Sequence, residues 1–405
     1  MTEQPTQRPW QQALLAGLLV AVPALLPFGR LSELPILILA VWGLGLLVSR
    51  PLLLWQHESV KTLIWVFLAY FLMTLISSLD SAWPQKSWLI TAASVRFLLM
   101  GMVVLYLASH ETLKTVMKWV ALLAVFWSVD AMVQYVAGVD LLGRASYPGR
   151  LTGVFGENVK LGPVMALLLP ILMIQSHQVG VLWRWLGVSL AVLVILLSGT
   201  RSAWLMMAFV LLMYAWHHVQ GRRWLLLLKS TALMVLGVLL LWYFSADFKQ
   251  RVDRSIHVLN GDVSALDYAL ADRLPIWHTA IEMYQSHPIN GVGARAFRSV
   301  YQDFAAEDDV WVQQQGQGLH AHHWVLEVMA ETGSVGLLLM LLLWVVLIRY
   351  VRPVFADDAV WPAGVALLAA MLPVVSLYSL FSSFWSICLW WLVVLLLLGA
   401  KHVKT

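Results

Sequence analysis

A succession of apolar runs, separated by short polar stretches, decides what kind of structure this chain can form. The runs fall at about 13–28, 33–49, 61–79, 87–108, 115–137, 161–176, 182–198, 201–217, 223–245, 324–349, 359–380 and 383–400. Each is long enough, or nearly so, to cross a hydrocarbon layer. Inside such a layer every backbone N–H and C=O must be satisfied within the protein, which a helix does by itself. The sequence therefore predicts an all-α polytopic membrane protein with about 12 transmembrane helices and one large external loop containing short helices. Composition agrees: 60% of the 405 residues are hydrophobic and only 12% are charged, a balance that excludes a soluble domain of this length. The first run reads as a retained helix rather than a signal peptide, because many spans follow it and no small-residue cleavage pattern is present. Cys388, the single cysteine, excludes an internal disulfide and a cysteine-based metal site. Many of the 22 tryptophans sit near run ends, where they anchor helices at the interface.

Orientation follows from the basic residues of the short connections. With both termini inside, the inner connections hold Arg50, Lys61, Lys114, Lys118, Arg184, Arg222, Arg223, Lys229, Arg349 and Arg352, and the tails add Arg8, Lys401 and Lys404. The expected division is then 1–244 for nine spans, 245–323 for an external loop and 324–405 for three more spans. Within that loop, Leu266 to Tyr284 has the apolar spacing of a helix, with Asp267 and Asp272 near candidate starts. Pro288 and Gly291-Val292-Gly293 break the pattern, and Gly316-Gln317-Gly318 gives a flexible approach to the histidines that follow.

A set of basic residues falls on the outer side against the orientation rule: Arg144, Arg150, Lys160, Arg201, Lys249, Arg251, Arg254, Arg273, Arg295 and Arg298. Guanidinium groups placed there suit a phosphate. Arg144, Lys249, Arg251 and Arg254 are expected to be solvated or to meet lipid headgroups. Arg201 sits in a very short turn among small and apolar neighbours and has to face a cavity or a partner. For Arg273, on the predicted amphipathic helix, an ion pair with Asp272 or Glu282 is the alternative to a functional role.

Gly318-Leu319-His320-Ala321-His322-His323 closes the loop and runs directly into an apolar helix. Three uses of this cluster stay open: metal ligation with help from Asp308 or Asp309, general-base catalysis by one neutral imidazole, or a polar start to a span. Glu327 and Glu331 lie one and two turns beyond His323 on the same face, where either carboxylate can orient a histidine. Gly333 and Gly336 allow close helix packing.

These residues carry a resemblance. His322-His323-Trp324-Val325-Leu326 with Glu331-Thr332-Gly333-Ser334-Val335-Gly336 resembles a signature of the O-antigen ligase and polymerase superfamily. Arg273-Leu274-Pro275-Ile276-Trp277 with Pro288-Ile289-Asn290-Gly291-Val292-Gly293 is similar to its arginine and glycine element, and Thr200-Arg201-Ser202-Ala203-Trp204 to its short arginine turn. Arg150 to Asn158 resembles its remaining loop, with Glu157-Asn158 in place of the commoner Asn-Pro-Asn. His323 stands where the family usually has Asn, and the alignment is made on His322 because that keeps the spacing to Glu331. The resemblance implies transfer of a glycan from undecaprenyl diphosphate at the periplasmic face of a bacterial inner membrane, with both chain termini cytoplasmic. It implies catalytic roles for His322, Arg201 and Arg273, and substrate contacts for Arg150, His320, His323, Asn158 and Glu331.

Ligation of O-antigen to the lipid A-core acceptor is the first expectation within that family. A polymerase, which often has arginine-rich repeats in two comparable loops, and a protein O-oligosaccharyltransferase, which usually adds a C-terminal domain, come after it. The partners implied are the lipid-diphosphate donor, the lipid acceptor and membrane lipids, with no nucleic acid. No metal and no cofactor are expected, because the diphosphate is itself the leaving group and no P-loop is found. A secondary transporter of an anionic solute is the competing class, but the paired broken helices it should show in two related halves are not seen.

Overall fold

In a computed structural model the described residues are 8–218, 239, 242–243, 246–256, 266–267, 270–313, 320–373 and 378–404. Most of the expected run at 223–245 and the Gly316-Gln317-Gly318 stretch lie outside them. The chain is an all-α polytopic membrane protein, and the described residues hold isolated β-bridges but no strand. Seven helical stretches among them are long and apolar enough to cross a membrane: Leu26–Ser49, Glu58–Leu79, Pro84–Leu107, His110–Ala137, Leu161–Gln178, Trp324–Val354 and Ser383–Lys404. Pro9–Ala24, Val181–Leu197 and Trp361–Ala370 are shorter apolar helices.

The helices that matter below are α1 (Pro9–Ala24), α2 (Glu33–Ser49), α3 (Glu58–Leu79), α4 (Pro84–Leu107), α5 (His110–Ala137), α6 (Leu161–Gln175), α7 (Val181–Leu197) and α8 (Arg201–His218). They continue with α9 (Ala246–Ile256), α10 (Leu274–Ser286), α11 (Trp324–Val351), α12 (Trp361–Ala370) and α13 (Ser383–Lys404). Proline opens α1 and α4 at a first-turn position, where its missing N–H has no intrahelical acceptor to lose. The apolar run expected at 359–380 is helical only as far as Ala370, and turn residues follow it to Pro373, whose ring disfavours helix in the residue before it.

The helix expected from Leu266 starts instead at Leu274. Ala271 and Asp272 have φ of 63° and 58°, which no α-helix contains, and the Asp267 carboxylate accepts from Leu274 N at 2.9 Å. Arg273 is therefore the residue just before α10 and not a member of it. Asp272 pairs with Arg254 at 3.1 Å, and Glu282 lies 3.8 Å from His278, so neither is the ion-pair partner expected for Arg273.

By its contacts the chain divides into two units. The first comprises Met1–Trp119, Pro275–Leu367 and Ser376–Thr405. In it α3 packs against α4 and α11, α2 against α4, and α13 against α3 and α4. Trp390 of α13 stacks on Phe97 (ring centroids 5.8 Å apart) and meets Phe67 and Tyr70 edge-on. At Gly43 the α2 backbone comes so close to α4 that a Cβ would stand 2.0 Å from Leu99 O. The second unit comprises Val120–Leu274 and Leu368–Val375, with α6 packed against α7 and α8.

A break in α11 does most to shape the first unit. Gly333 has φ 64° and ψ −163°, a conformation open essentially to glycine alone, and it interrupts the helix ladder. The loop after α10 takes over the freed groups: Val292 N donates to Ala330 O (2.8 Å), Gly293 N to Glu331 O (3.0 Å), Ser334 N to Pro288 O (2.8 Å) and Val335 N to Ile289 O (3.1 Å). The proline and glycines read from the sequence thus make a backbone-to-backbone seam. A Cβ at Gly333 would lie 2.3 Å from Ile289 O, so Gly333→Ala meets both backbone strain and a collision that only backbone movement can relieve. It should cost about 2–4 kcal/mol, read as a lowered unfolding temperature in detergent. An unchanged unfolding temperature would contradict the seam.

Candidate functional site

The second unit holds a group of arginines. Gly199, with φ 65°, turns the chain from α7 into α8 and puts Arg201 at the first helical residue. Arg150 follows a tight turn in which its N–H donates to Tyr147 O (2.9 Å) and Leu151 N donates to Leu197 O (3.2 Å). The buried amide of Gln134 fixes this loop: Oε1 accepts from Thr152 N (3.1 Å) and Gly153 N (2.7 Å), and Nε2 donates to Arg144 O (3.1 Å). Arg251 of α9 ties both loops together, giving one N–H to Gly199 O at 3.2 Å and another to Gly149 O at 2.9 Å. Arg150 and Arg251 line a cavity of about 230 Å³ together with Gln134, Tyr135 and Phe248.

The charges of Arg254 and Arg150 act on Arg201, and that of Arg201 acts on Arg273. Burial and then the neighbouring Arg201 push the Arg273 guanidinium down to about 10, so it still carries its charge at neutral pH. The structure brings Arg150, Arg201 and Arg273 into one electrostatic group, with Arg254 as a member that the sequence did not single out. Four basic residues expected to be solvated are held instead. Arg144 donates to Val154 O at 2.7 Å, Lys249 lies over the Trp242 ring at 4.9 Å, Arg251 makes the two bonds above and Arg254 pairs with Asp272. Lys249, Arg251 and Arg254 recur along a short helix, and that spacing was the available signal. Asn158 is exposed and folds its amide back onto Phe155 O at 3.4 Å.

The first unit holds the histidines. Ile276, Ala280 and Met283 of α10 pack with Val292, Ala296, Phe297, Tyr301, Ala321 and Ala330 into a small core. Ala321, fully enclosed there, anchors the segment between His320 and His322. The two rings lie with centroids 3.9 Å apart; His320 is buried and His322 half-buried. His322 has φ 51°, unusual for a residue with a Cβ though less so for His, and such positions gather at functional sites. His323 has a different job. Its Nδ1 accepts from Leu326 N at 3.5 Å, capping α11, while its ring meets Trp277 edge-on at 5.7 Å. Burial lowers its affinity for a proton, so it stays neutral with the proton on Nε2.

Neither glutamate orients a histidine, as the helical spacing had suggested. Glu331 is buried, and its carboxylate accepts from Arg295 N (2.6 Å) and Phe297 N (3.3 Å), while its backbone carbonyl accepts from Ser77 Oγ (2.5 Å). The Glu327 carboxylate accepts from Leu380 N at 3.0 Å. Both acids brace loops. Asp309, offered above as a metal ligand, is occupied by Tyr301 Oη (2.8 Å) and Trp311 N (2.7 Å). Among the described residues no group of three or more His, Cys, Asp or Glu side chains is placed to hold a metal ion.

Comparison with family models adds one match, at residues 186–341, to a family described as O-antigen ligase. That segment contains Arg201, Arg273, the three histidines and Glu331. The chain carries an O-antigen ligase superfamily domain. Its ligase-family segment opens within α7 and closes within α11 beyond the Gly333 break, and Arg150 and Asn158 precede it. Membership makes the chain a glycosyl-transferring enzyme of the ligase or polymerase kind. Comparison with curated proteins gives no match.

Proposed function

We propose that this protein transfers O-antigen glycan from undecaprenyl diphosphate to a lipid A-core acceptor at the periplasmic face of the inner membrane. The observation that carries the reading is the arginine group: buried or half-buried guanidinium charges gathered within the same unit as a cavity, in a chain with an O-antigen ligase domain. Arg201 and Arg273, with Arg150, take the diphosphate and stabilise the negative charge that grows on it as the glycosidic bond breaks. His322 takes the proton of the acceptor hydroxyl. His323 is less suited to that role, because its Nδ1 caps α11. The hydroxyl oxygen attacks the anomeric carbon as the C–O bond to the diphosphate breaks, so the sugar configuration inverts. The charge neutralisation that a divalent cation supplies in other glycosyl transfers falls here to guanidinium groups.

Transfer by the purified protein should therefore proceed at full rate in EDTA. A loss restored by added metal would overturn this part of the mechanism. Gel analysis of lipopolysaccharide from a deletion strain tests ligase against polymerase. Absence of all O-antigen from lipid A-core supports ligation, whereas a single remaining repeat unit assigns the chain to polymerisation.

A further inference from the structure

The first unit carries a second basic group that the proposed mechanism does not use. Lys86 lies in the first turn of α4, Arg295 and Arg298 lie on the loop after α10, and Arg30 lies on the turn Leu26–Ser32 that leads into α2. The start of α4 and the loop are fastened together. Ala82 N donates to Val292 O at 2.9 Å, Ser87 Oγ donates to Ala294 O at 2.8 Å, and a Cβ on Gly293 would stand 2.0 Å from Ser81 Oγ. The charges of Arg295, Arg298 and Arg30 all act on Lys86.

Like charges this close repel unless something neutralises them, and the protein does not supply it. Among the described residues none of the four side chains forms an ion pair or a side-chain hydrogen bond. The nearby acids are engaged elsewhere: Glu33 accepts from Ser383 Oγ at 2.6 Å, and buried Glu331 and Glu327 accept from backbone amides. Arg295 is held at φ 67°, a conformation that Glu331 secures through its N–H. Next to these cations the surface turns apolar, with Leu31, Trp88 and Leu89 exposed by 53%, 43% and 60%. A site with cations on one side and exposed hydrocarbon on the other fits an amphiphile with an anionic head.

We infer that Arg30, Lys86, Arg295 and Arg298 bind the phosphate group of a membrane lipid whose acyl chains lie along Leu31, Trp88 and Leu89. Forked guanidinium donors match the oxygens of a phosphate, and Lys86 adds a point charge. Two sources carry that chemistry, a phosphorylated lipid acceptor and the bulk phospholipid. Assigning the acceptor rests on the glycan-transfer reading above; the site itself does not.

The test is equilibrium binding to the full chain in maltoside detergent, with three probes: lipid A bearing its phosphates, the same lipid A after phosphatase treatment, and phosphatidylglycerol. The variant is Arg30→Gln with Lys86→Gln, positions whose side chains hold no other part of the fold, and Arg298→Gln serves as a second variant. Phosphorylated lipid A should bind the double variant more weakly on the order of 30-fold, while the dephosphorylated form binds both proteins alike. Phosphatidylglycerol binding as tightly as phosphorylated lipid A, and weakened equally in the variant, would keep phosphate recognition and assign the site to bulk phospholipid. Equal binding of the two lipid A forms by the unaltered protein, or unaltered binding by both variants, overturns the inference. Because no turnover is needed, a protein that passes this test but transfers no glycan rejects the functional reading alone.

Discussion

Replacing His322 should abolish glycan transfer in a protein that is still folded and inserted. A positioned general base contributes roughly 10² to 10⁴ in rate, so the variant should fall to a hundredth of normal turnover or below. The backbone dictates how the test is built. His322 has φ 51°, and alanine there adds a steric penalty of about 1–2 kcal/mol that has nothing to do with proton transfer. Asparagine tolerates the left-handed region, so His322→Asn separates loss of the imidazole from loss of the turn. Both variants should be inactive, and the asparagine variant should match the parent in unfolding temperature. Near-normal transfer by His322→Asn would remove this residue as the base. His323→Asn is the contrasting case. It keeps a helix-capping side chain at the start of α11 and should retain transfer within about tenfold, since the native ring serves the helix rather than the hydroxyl.

Arg201→Lys is the second large effect expected. Lysine keeps the positive charge and loses the planar fork, so the exchange asks whether charge or geometry holds the diphosphate. Loss of one donor aimed at developing charge typically lowers kcat by about 10² to 10³, and Arg201→Lys should fall in that range. KM for the lipid-linked donor should change less than kcat, because the contact strengthens as the leaving group gains charge. Competition by inorganic pyrophosphate should weaken in parallel. Turnover by Arg201→Lys close to that of the parent would show that a simple point charge suffices, and the forked contact would have to be abandoned.

The spans were legible because hydropathy is a direct reading of the backbone's need for a partner in lipid. Each expected run within the described residues carries a helix, and the shortfall at 359–380 has its cause in Pro373. Sequence did less well where a polar side chain meets main chain. Arg251 reaches the carbonyls of Gly149 and Gly199, 102 and 52 residues away, and a carbonyl is the same whatever residue bears it. No choice of side chains at 149 or 199 could have announced that bond. Glu331 failed differently. Its helical register toward His323 was read correctly, but the carboxylate turns to the amides of Arg295 and Phe297, groups that became available only when the loop closed on the broken helix. The histidines were seen as one cluster; that His323 caps a helix while His322 occupies a left-handed turn depends on backbone angles that no spacing reveals.

The seam at Gly333 has a consequence for how the protein is made. Neither Ala330 to Val335 nor Pro288 to Gly293 can satisfy its main chain alone; each completes the other. A nascent α11 placed in the bilayer before the preceding segment has folded would expose bare amides and carbonyls to hydrocarbon, at several kcal/mol for each unsatisfied group. The segment after α10 must therefore be in position before this helix can settle in lipid. Biogenesis is ordered by that requirement, and a chain stalled before the loop has docked should be open to extraction and degradation at this one helix.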